Sequence, residues 1–185
     1  MKTIRERADI IPALTEVFRS HGYEGASLAL IGQRTGLGKG SLYNFFPGGK
    51  EEMAAAVLAH IDGWFRTHVF EPLRTTADPE AAIATIFEAT DRYFHSGGRV
   101  CIVGVFALSD VRDRFAEAIN AYFAEWRDAL AQALRRLGKD PDSASELAED
   151  IVAGIQGALV TARALGDPSL FGRRLERLKA LVPLR

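Results

Sequence analysis

The sequence predicts an all-α protein of about nine helices, with a small three-helix head over residues 1–49 and a larger helical body over residues 50–185. Three observations lead there. Apolar residues recur three and four positions apart through most of the chain, the period of one helix face. No run alternates β-branched and polar residues, and the sole strand candidate, Val100–Val105, is too short for its pattern to separate strand from helix. Capping residues, prolines and glycines fall in the order that starts and stops helices.

Taken in order, the first helix carries Ile10, Leu14, Val17 and Phe18 on one face. Asp9 as its N-cap places Pro12 in the first turn, where a missing N–H costs no hydrogen bond. Gly22 ends it, and Tyr23 can then fold back on the core. Ser27 caps a short helix, Leu28–Thr35, which Gly36 closes. Lys39–Phe46 follows, broken by Pro47-Gly48-Gly49. Glu51 and Glu52 suit the first turn of a long fourth helix, which the pattern carries to about Val69, ahead of a connection over 71–78. Asp78 and Pro79 open the next, which stops at Gly97-Gly98. Residues 101–109 read as a short helix, 112–137 as a long one ended by Gly138. Pro141-Asp142-Ser143 and Asp167-Pro168 open the last two.

Size and composition permit this without staples. A chain of 20.2 kDa, 48% hydrophobic, buries roughly 70% of its unfolded surface. The single cysteine, Cys101, excludes an intramolecular disulfide and an all-cysteine zinc site, and fits a reducing compartment. The longest apolar run, Val100–Leu108, is too short to span a bilayer, and Met1–Arg7 lacks the apolar core of a signal peptide. A cytoplasmic protein without a membrane partner is the expectation. The net charge of −1 hides an asymmetry: residues 1–50 hold seven Lys/Arg against four Asp/Glu, the other 135 hold 16 against 20. A +3 head on a −4 body fits a small module that touches phosphate.

Residues Ser27–Phe46 have the layout of a helix-turn-helix, two short helices joined by a glycine turn. Gly32 is small where the helices approach, Gly36 supplies the turn, and Ile31, Leu37 and Leu42 point inward. Lys39, Gly40, Ser41, Tyr43 and Asn44 are left on the outer side. Gly22-Tyr23-Glu24-Gly25-Ala26-Ser27, Gly36-Leu37-Gly38-Lys39-Gly40-Ser41-Leu42-Tyr43-Asn44-Phe45-Phe46 and Lys50-Glu51-Glu52 together resemble the DNA-binding domain of TetR/AcrR-type regulators. The match covers about residues 5–60.

That resemblance implies a repressor that binds a palindromic double-stranded operator. Ser27, Tyr43 and Lys50 would hold backbone phosphate, Lys39, Ser41 and Asn44 would face base edges, and Gly40 would let the helix come close. Lysine suits guanine and asparagine suits adenine. Gly38 stands where such regulators often carry Ser or Thr, and Asn44 where they often carry His. The first departure removes an N-cap, the second leaves the preferred base open, and Gly48-Gly49 leaves the next turn looser. Read singly, Lys39 and Lys50 are also ordinary solvated charges.

For the body the resemblance implies an effector-binding and dimerisation domain. An effector pocket of unknown ligand would draw on Trp64, Phe65, His68, Phe87, Tyr93, Cys101, Phe106, Tyr122 and Trp126, though most of these aromatics must also be core. Small residues on Ala144–Leu165 permit close helix approach. Ile151, Gly154, Ile155, Ala158, Leu175 and Leu178 would form a four-helix homodimer interface, burial within one chain being the alternative. Cys101, near Arg99 and a helix start, reads either as an activated thiol that would switch DNA binding on oxidation or electrophile attack, or as a small buried hydrophobe. Nothing marks an enzyme: His21, His60, His68 and His95 lack metal-ligand spacing, and no phosphate loop or nucleophile elbow occurs. No cofactor, metal or catalytic residue is expected.

Overall fold

The computed structural model describes residues 6–182, and every regular element among them is helical. A 3₁₀ turn at Arg7–Asp9 leads into α1 (Ile11–Gly25), followed by α2 (Leu28–Thr35) and α3 (Lys39–Phe45). Next come α4 (Gly49–Phe65), a π-helical turn at Arg66–Phe70, α5 (Glu71–Thr75) and α6 (Pro79–Tyr93). Then follow α7 (Ile102–Ala107), a 3₁₀ turn at Asp113–Phe115, α8 (Ala116–Arg136), α9 (Pro141–Leu165) and α10 (Ser169–Ala180). Because α4, the π turn and α5 run on without a break, the described residues form nine rods.

The chain packs as two units, one from the described part of Met1–Asp62 with Ile102–Ile119, the other from Gly63–Cys101 with the described part of Asn120–Arg185. This is a division by packing. It takes a segment from the middle of the chain into the first unit.

The caps expected at Ser27 and Asp78 form, and Asp140, just before the expected opening at Pro141, caps α9 as well. The Ser27 hydroxyl accepts from the Leu30 N–H at 3.2 Å, Asp78 from Glu80 and Ala81 at 2.9 and 3.2 Å, and Asp140 from Ser143 at 3.0 Å. The first helix departs. Ile10, not Asp9, precedes α1, while the Asp9 carboxylate accepts from the Glu6 N–H at 3.3 Å within the preceding turn. Pro12 still lies in the first helical turn. Gly22 breaks α1 as expected, with φ +64 and ψ −175, a conformation open to glycine and closed to side chains. The break turns Tyr23 inward, where it is 6% exposed and lies parallel to Phe18.

Three boundaries differ. The expected connection after Val69 is helical to Thr75, because the wider π turn precedes Pro72, which has no N–H to give the ladder. The Glu71 N–H reaches back five residues to the Arg66 carbonyl. Arg136 then closes α5: its guanidinium donates to the carbonyls of Leu73 (3.1 Å), Arg74 (3.2 Å), Ala77 (3.3 Å) and Thr76, the groups a helix C-terminus leaves open. The strand candidate at Val100–Val105 is instead the start of α7, and Cys101 stands just before that helix. Finally, α8 begins at Ala116, four residues later than the pattern suggested.

Candidate nucleic-acid interface

In the first unit, the turn between α2 and α3 is closed by the backbone. Gly36 is left-handed at φ +73 and its N–H reaches the Gly32 carbonyl at 2.9 Å. Thr35 Oγ1 donates to the Ile31 carbonyl at 2.8 Å and accepts from the Leu37 N–H at 3.3 Å. Ile31, Leu42 and Phe46 are fully buried and fix α3 from below. Leu42 is the one buried residue of α3, so Lys39, Gly40, Ser41, Tyr43 and Asn44 are all exposed around it. Gly38 caps α3 with backbone only, as its missing hydroxyl predicts. Nothing lies within 4 Å of a β-carbon built on Gly40. Packing inside the protein therefore does not require glycine there.

The turn after α3 is tighter than Gly48-Gly49 suggests. The Gly48 N–H donates to Glu52 Oε2 at 2.7 Å, and the Gly49 N–H to the Phe46 carbonyl at 2.8 Å. Glu52 also pairs with Arg7 at 2.8 Å, whose guanidinium lies 4.5 Å from the Phe46 ring centre. Tyr43 lies along this turn, its ring edge 3.3 Å from where a β-carbon on Gly49 would stand. Tyr43 and the turn after α3 thus belong to one continuous local structure.

Lys50 is placed differently from a free surface cation. Its ammonium donates to the Tyr23 carbonyl at 3.0 Å, lies 4.3 Å from the Tyr23 ring centre and is 4.0 Å from Glu24. An ammonium has three donors, so this anchoring leaves it capable of a further acceptor.

In the second unit, six of the nine residues expected around an effector form one aromatic cluster. Trp64 lies 4.4 Å from His68, nearly parallel, and 4.5 Å from Tyr93. Phe65 sits 4.8, 5.1 and 5.0 Å from Tyr93, Tyr122 and Trp126. Tyr122 and Trp126 are within 1% of full burial. The indole N–H of Trp126 and the hydroxyl of Thr90 are buried without hydrogen-bond partners. Thr90 was not singled out by the sequence. It stands apart from Thr15, Thr75, Thr85 and Thr161, whose hydroxyls bond back to the carbonyl four residues earlier.

The other expected pocket residues lie elsewhere. Phe87 lines an outward cleft of about 470 Å³ between α6 and α10. Phe106 belongs to the first unit, against Phe18, Tyr23 and Phe115 at 6.0, 6.0 and 5.5 Å. An apolar residue's partners are set by chain path, which its spacing does not reveal. Cys101 is 6% exposed, and Arg99 turns its guanidinium to the Tyr93 carbonyl at 3.3 Å.

The α9–α10 pair also redistributes its residues. Ile151, Ile155, Ala158, Leu175 and Leu178 are buried within the single chain, and a β-carbon on Gly154 would stand 2.8 Å from Leu178 Cδ2. The outward side is a groove of about 550 Å³ lined by Ala153, Gly157, Thr161, Leu170, Arg174 and Leu181, among others. Val160 and Leu165 are exposed.

A short exposed helix on a rigid glycine turn, with its anchoring residues below and polar residues above, is the geometry of a helix-turn-helix that reads DNA. Residues 10–57 match the model for bacterial regulatory proteins of the tetR family, and residues 79–173 match the model for the C-terminal domain of LmrA/YxaF-like transcriptional regulators. The chain belongs to the TetR family and is a DNA-binding transcriptional regulator, not an enzyme. The regulator LmrA of Bacillus subtilis (strain 168) is 28% identical over 158 residues, 83% of this chain and 84% of that one. A TetR regulator from Legionella pneumophila superposes with a TM-score of 0.85 at 20% identity, covering 99% and 100% of the two chains. A cysteine mutant of CifR, solved with a 26-bp double-strand operator, superposes at 0.77 with 25% identity over 99% and 100%.

Proposed function

We propose that the protein is a cytoplasmic repressor that binds a palindromic operator as a homodimer and leaves it when a small-molecule effector enters the body. The exposed face of α3 carries this reading: five small or polar residues surround one buried leucine, with space over Gly40 for close approach. The division of labour is residues 1–49 for DNA and residues 50–185 for effector and dimer. Ser27, Tyr43 and Lys50 hold phosphates, while Lys39, Ser41 and Asn44 read bases. That CifR was solved on a double-strand operator supports a duplex target. The groove of α9 and α10, lined by Ala153, Gly157, Leu170 and Leu181, together with the exposed Val160 and Leu165 of α9, supports pairing with a second copy. Two recognition helices then lie about 34–36 Å apart, one DNA turn, or wider if dimers pair.

The effector acts through Trp64, Phe65, His68, Tyr93, Tyr122 and Trp126, with the unpartnered Trp126 N–H and Thr90 hydroxyl as polar handles. It releases DNA only if it binds the released conformation more tightly than the bound one. The test is recovery of duplexes from a random-sequence library at two salt concentrations. Enrichment of a two-fold symmetric sequence supports the reading, and no retention at low salt overturns it.

A second reading has its own observation. Cys101 is the last residue of its segment in the second unit, and the chain enters the first unit at Ile102. A covalent adduct on that buried thiol would have to displace the side chains around it. Cys101→Ser that retains DNA binding but no longer releases it under an electrophile supports this route; an unchanged release sinks it.

A further inference from the structure

We propose that Arg114 is a positioning residue for operator recognition, acting on the recognition helix through the phenol of Tyr23 and without touching DNA. The inference rests on the DNA-binding role of the α2–α3 pair. Its basis is the cluster around Tyr23. Arg114 Nη1 donates to the Tyr23 hydroxyl at 3.0 Å and pairs with Glu51 at 3.4 Å. The Arg114 guanidinium also stands 5.4 Å from the Tyr23 ring centre. The same ring meets Phe18, Phe106 and Phe115 at 6.1, 6.0 and 5.6 Å.

Tyr23 is the residue through which this cluster reaches the reading helices. It directly follows the Gly22 break, and its carbonyl accepts both the Ala26 N–H at 3.3 Å and the Lys50 ammonium at 3.0 Å. Ala26 is fully buried, and Ser27 after it caps α2. Fixing the Tyr23 ring therefore fixes where α2 begins, and the tight turn at Gly32 and Leu37 passes that placement to α3. The hydroxyl is the ring's sole polar atom, so a cation that donates to it locks the ring's direction as ring packing alone does not.

Arg114 lies 91 positions from Tyr23, on the stretch Ile102–Ile119 that the first unit takes from the middle of the chain. Glu51 brings the first turn of α4 to the same guanidinium. One side chain thus ties the corner before α2, the start of α4 and the inserted segment.

The test uses the full chain, a duplex selected from a random library by the wild-type protein, and an unrelated duplex of equal length. Tyr23→Phe removes only the acceptor, Arg114→Met removes the donor and keeps the stem, and the double variant closes the cycle. Each single change is expected to weaken the selected duplex about tenfold, the size of one charge-assisted hydrogen bond. Binding to the unrelated duplex falls by clearly less, the salt dependence stays unchanged, and the double variant is no weaker than the worse single one. Arg114→Lys, which can still donate, recovers part of the loss.

An unchanged affinity for the selected duplex overturns the proposal. Equal losses on both duplexes make the role merely structural. A salt slope reduced by about 0.9 makes Arg114 a phosphate contact. Losses that multiply in the double variant show that Arg114 does not act through Tyr23. Should Arg114→Met fail to fold, Tyr23→Phe alone decides, since undiminished recognition without the hydroxyl is incompatible with the mechanism. Wild-type protein that retains no duplex overturns the DNA-reading role itself.

Discussion

Gly32 and Leu37 approach so closely that a β-carbon on Gly32 would stand 2.9 Å from the Leu37 carbonyl oxygen. The neighbour is backbone, in a turn whose other groups are already bonded, so it has no flexible end to withdraw. Gly32→Ala is expected to cost about 1–3 kcal/mol, the usual range for an overpacked site. The strain falls on the connection that sets α3. Operator affinity should therefore drop even at temperatures where circular dichroism shows full helix content. Unchanged operator binding at full helicity would mean that α3 can shift without consequence.

The outer face of α3 separates two kinds of loss. Lys39→Ala or Asn44→Ala should each remove about 1–3 kcal/mol of discrimination at one base pair and relax the selected sequence there. Ser27→Ala acts differently. It deletes the hydroxyl that accepts from Leu30, worth about 1 kcal/mol to the helix. It should weaken every duplex alike. Repeating library selection with each variant distinguishes the outcomes: a new base at one position for Lys39 and Asn44, the same sequence with lower yield for Ser27.

These contrasts also show what a sequence can carry. Ser27 and Asp78 cap helices through atoms a few residues away, so their roles follow from local chemistry and were legible. The exposed set on α3 was legible for the same reason, since Leu42 at helical spacing fixes which side faces in. Phe106 and Lys50 were not. Both are positioned by Tyr23, which Phe106 meets across more than 80 residues. No periodicity encodes that partner. The same holds for Ile151, Ile155 and Leu178, whose apolar character is equally suited to a dimer interface or to the interior that they occupy.

The α9 groove supports a prediction about assembly. Nothing lies within 4 Å of a β-carbon on Gly157, and an alanine-like β-carbon favours helix over glycine by about 1 kcal/mol. Gly157→Glu should therefore keep or raise the stability of the single chain. In a homodimer packed along Ala153, Gly157 and Thr161 the longer side chain would hold the two copies of α9 apart and strip water from its carboxylate. Sedimentation should show wild type as a dimer and the variant as a folded monomer, with operator binding lost alongside. A dimeric Gly157→Glu would place the interface elsewhere.

Acid should destabilise the fold through three carboxylates. Asp140 is held below the usual carboxylate range by the Ser143 N–H, Asp167 by the Ser169 hydroxyl and then Arg173, and Glu125 by its hydrogen bond to Arg74 with Arg66 adding charge. Arg74 is correspondingly raised, chiefly by the same bond, and stays charged throughout. A depressed carboxylate contributes stability above its unfolded pKa, about 3.9 for Asp and 4.3 for Glu, and loses that contribution as pH falls through the lower folded value. The urea midpoint should thus be level from about pH 5 toward neutrality with respect to these groups, then fall below about pH 4. Asp140→Asn isolates one contribution, because asparagine still caps α9 but does not titrate. Its midpoint should decline less steeply with acid than that of wild type. Equal slopes would remove Asp140 from the acid response and leave it to Asp167 and Glu125.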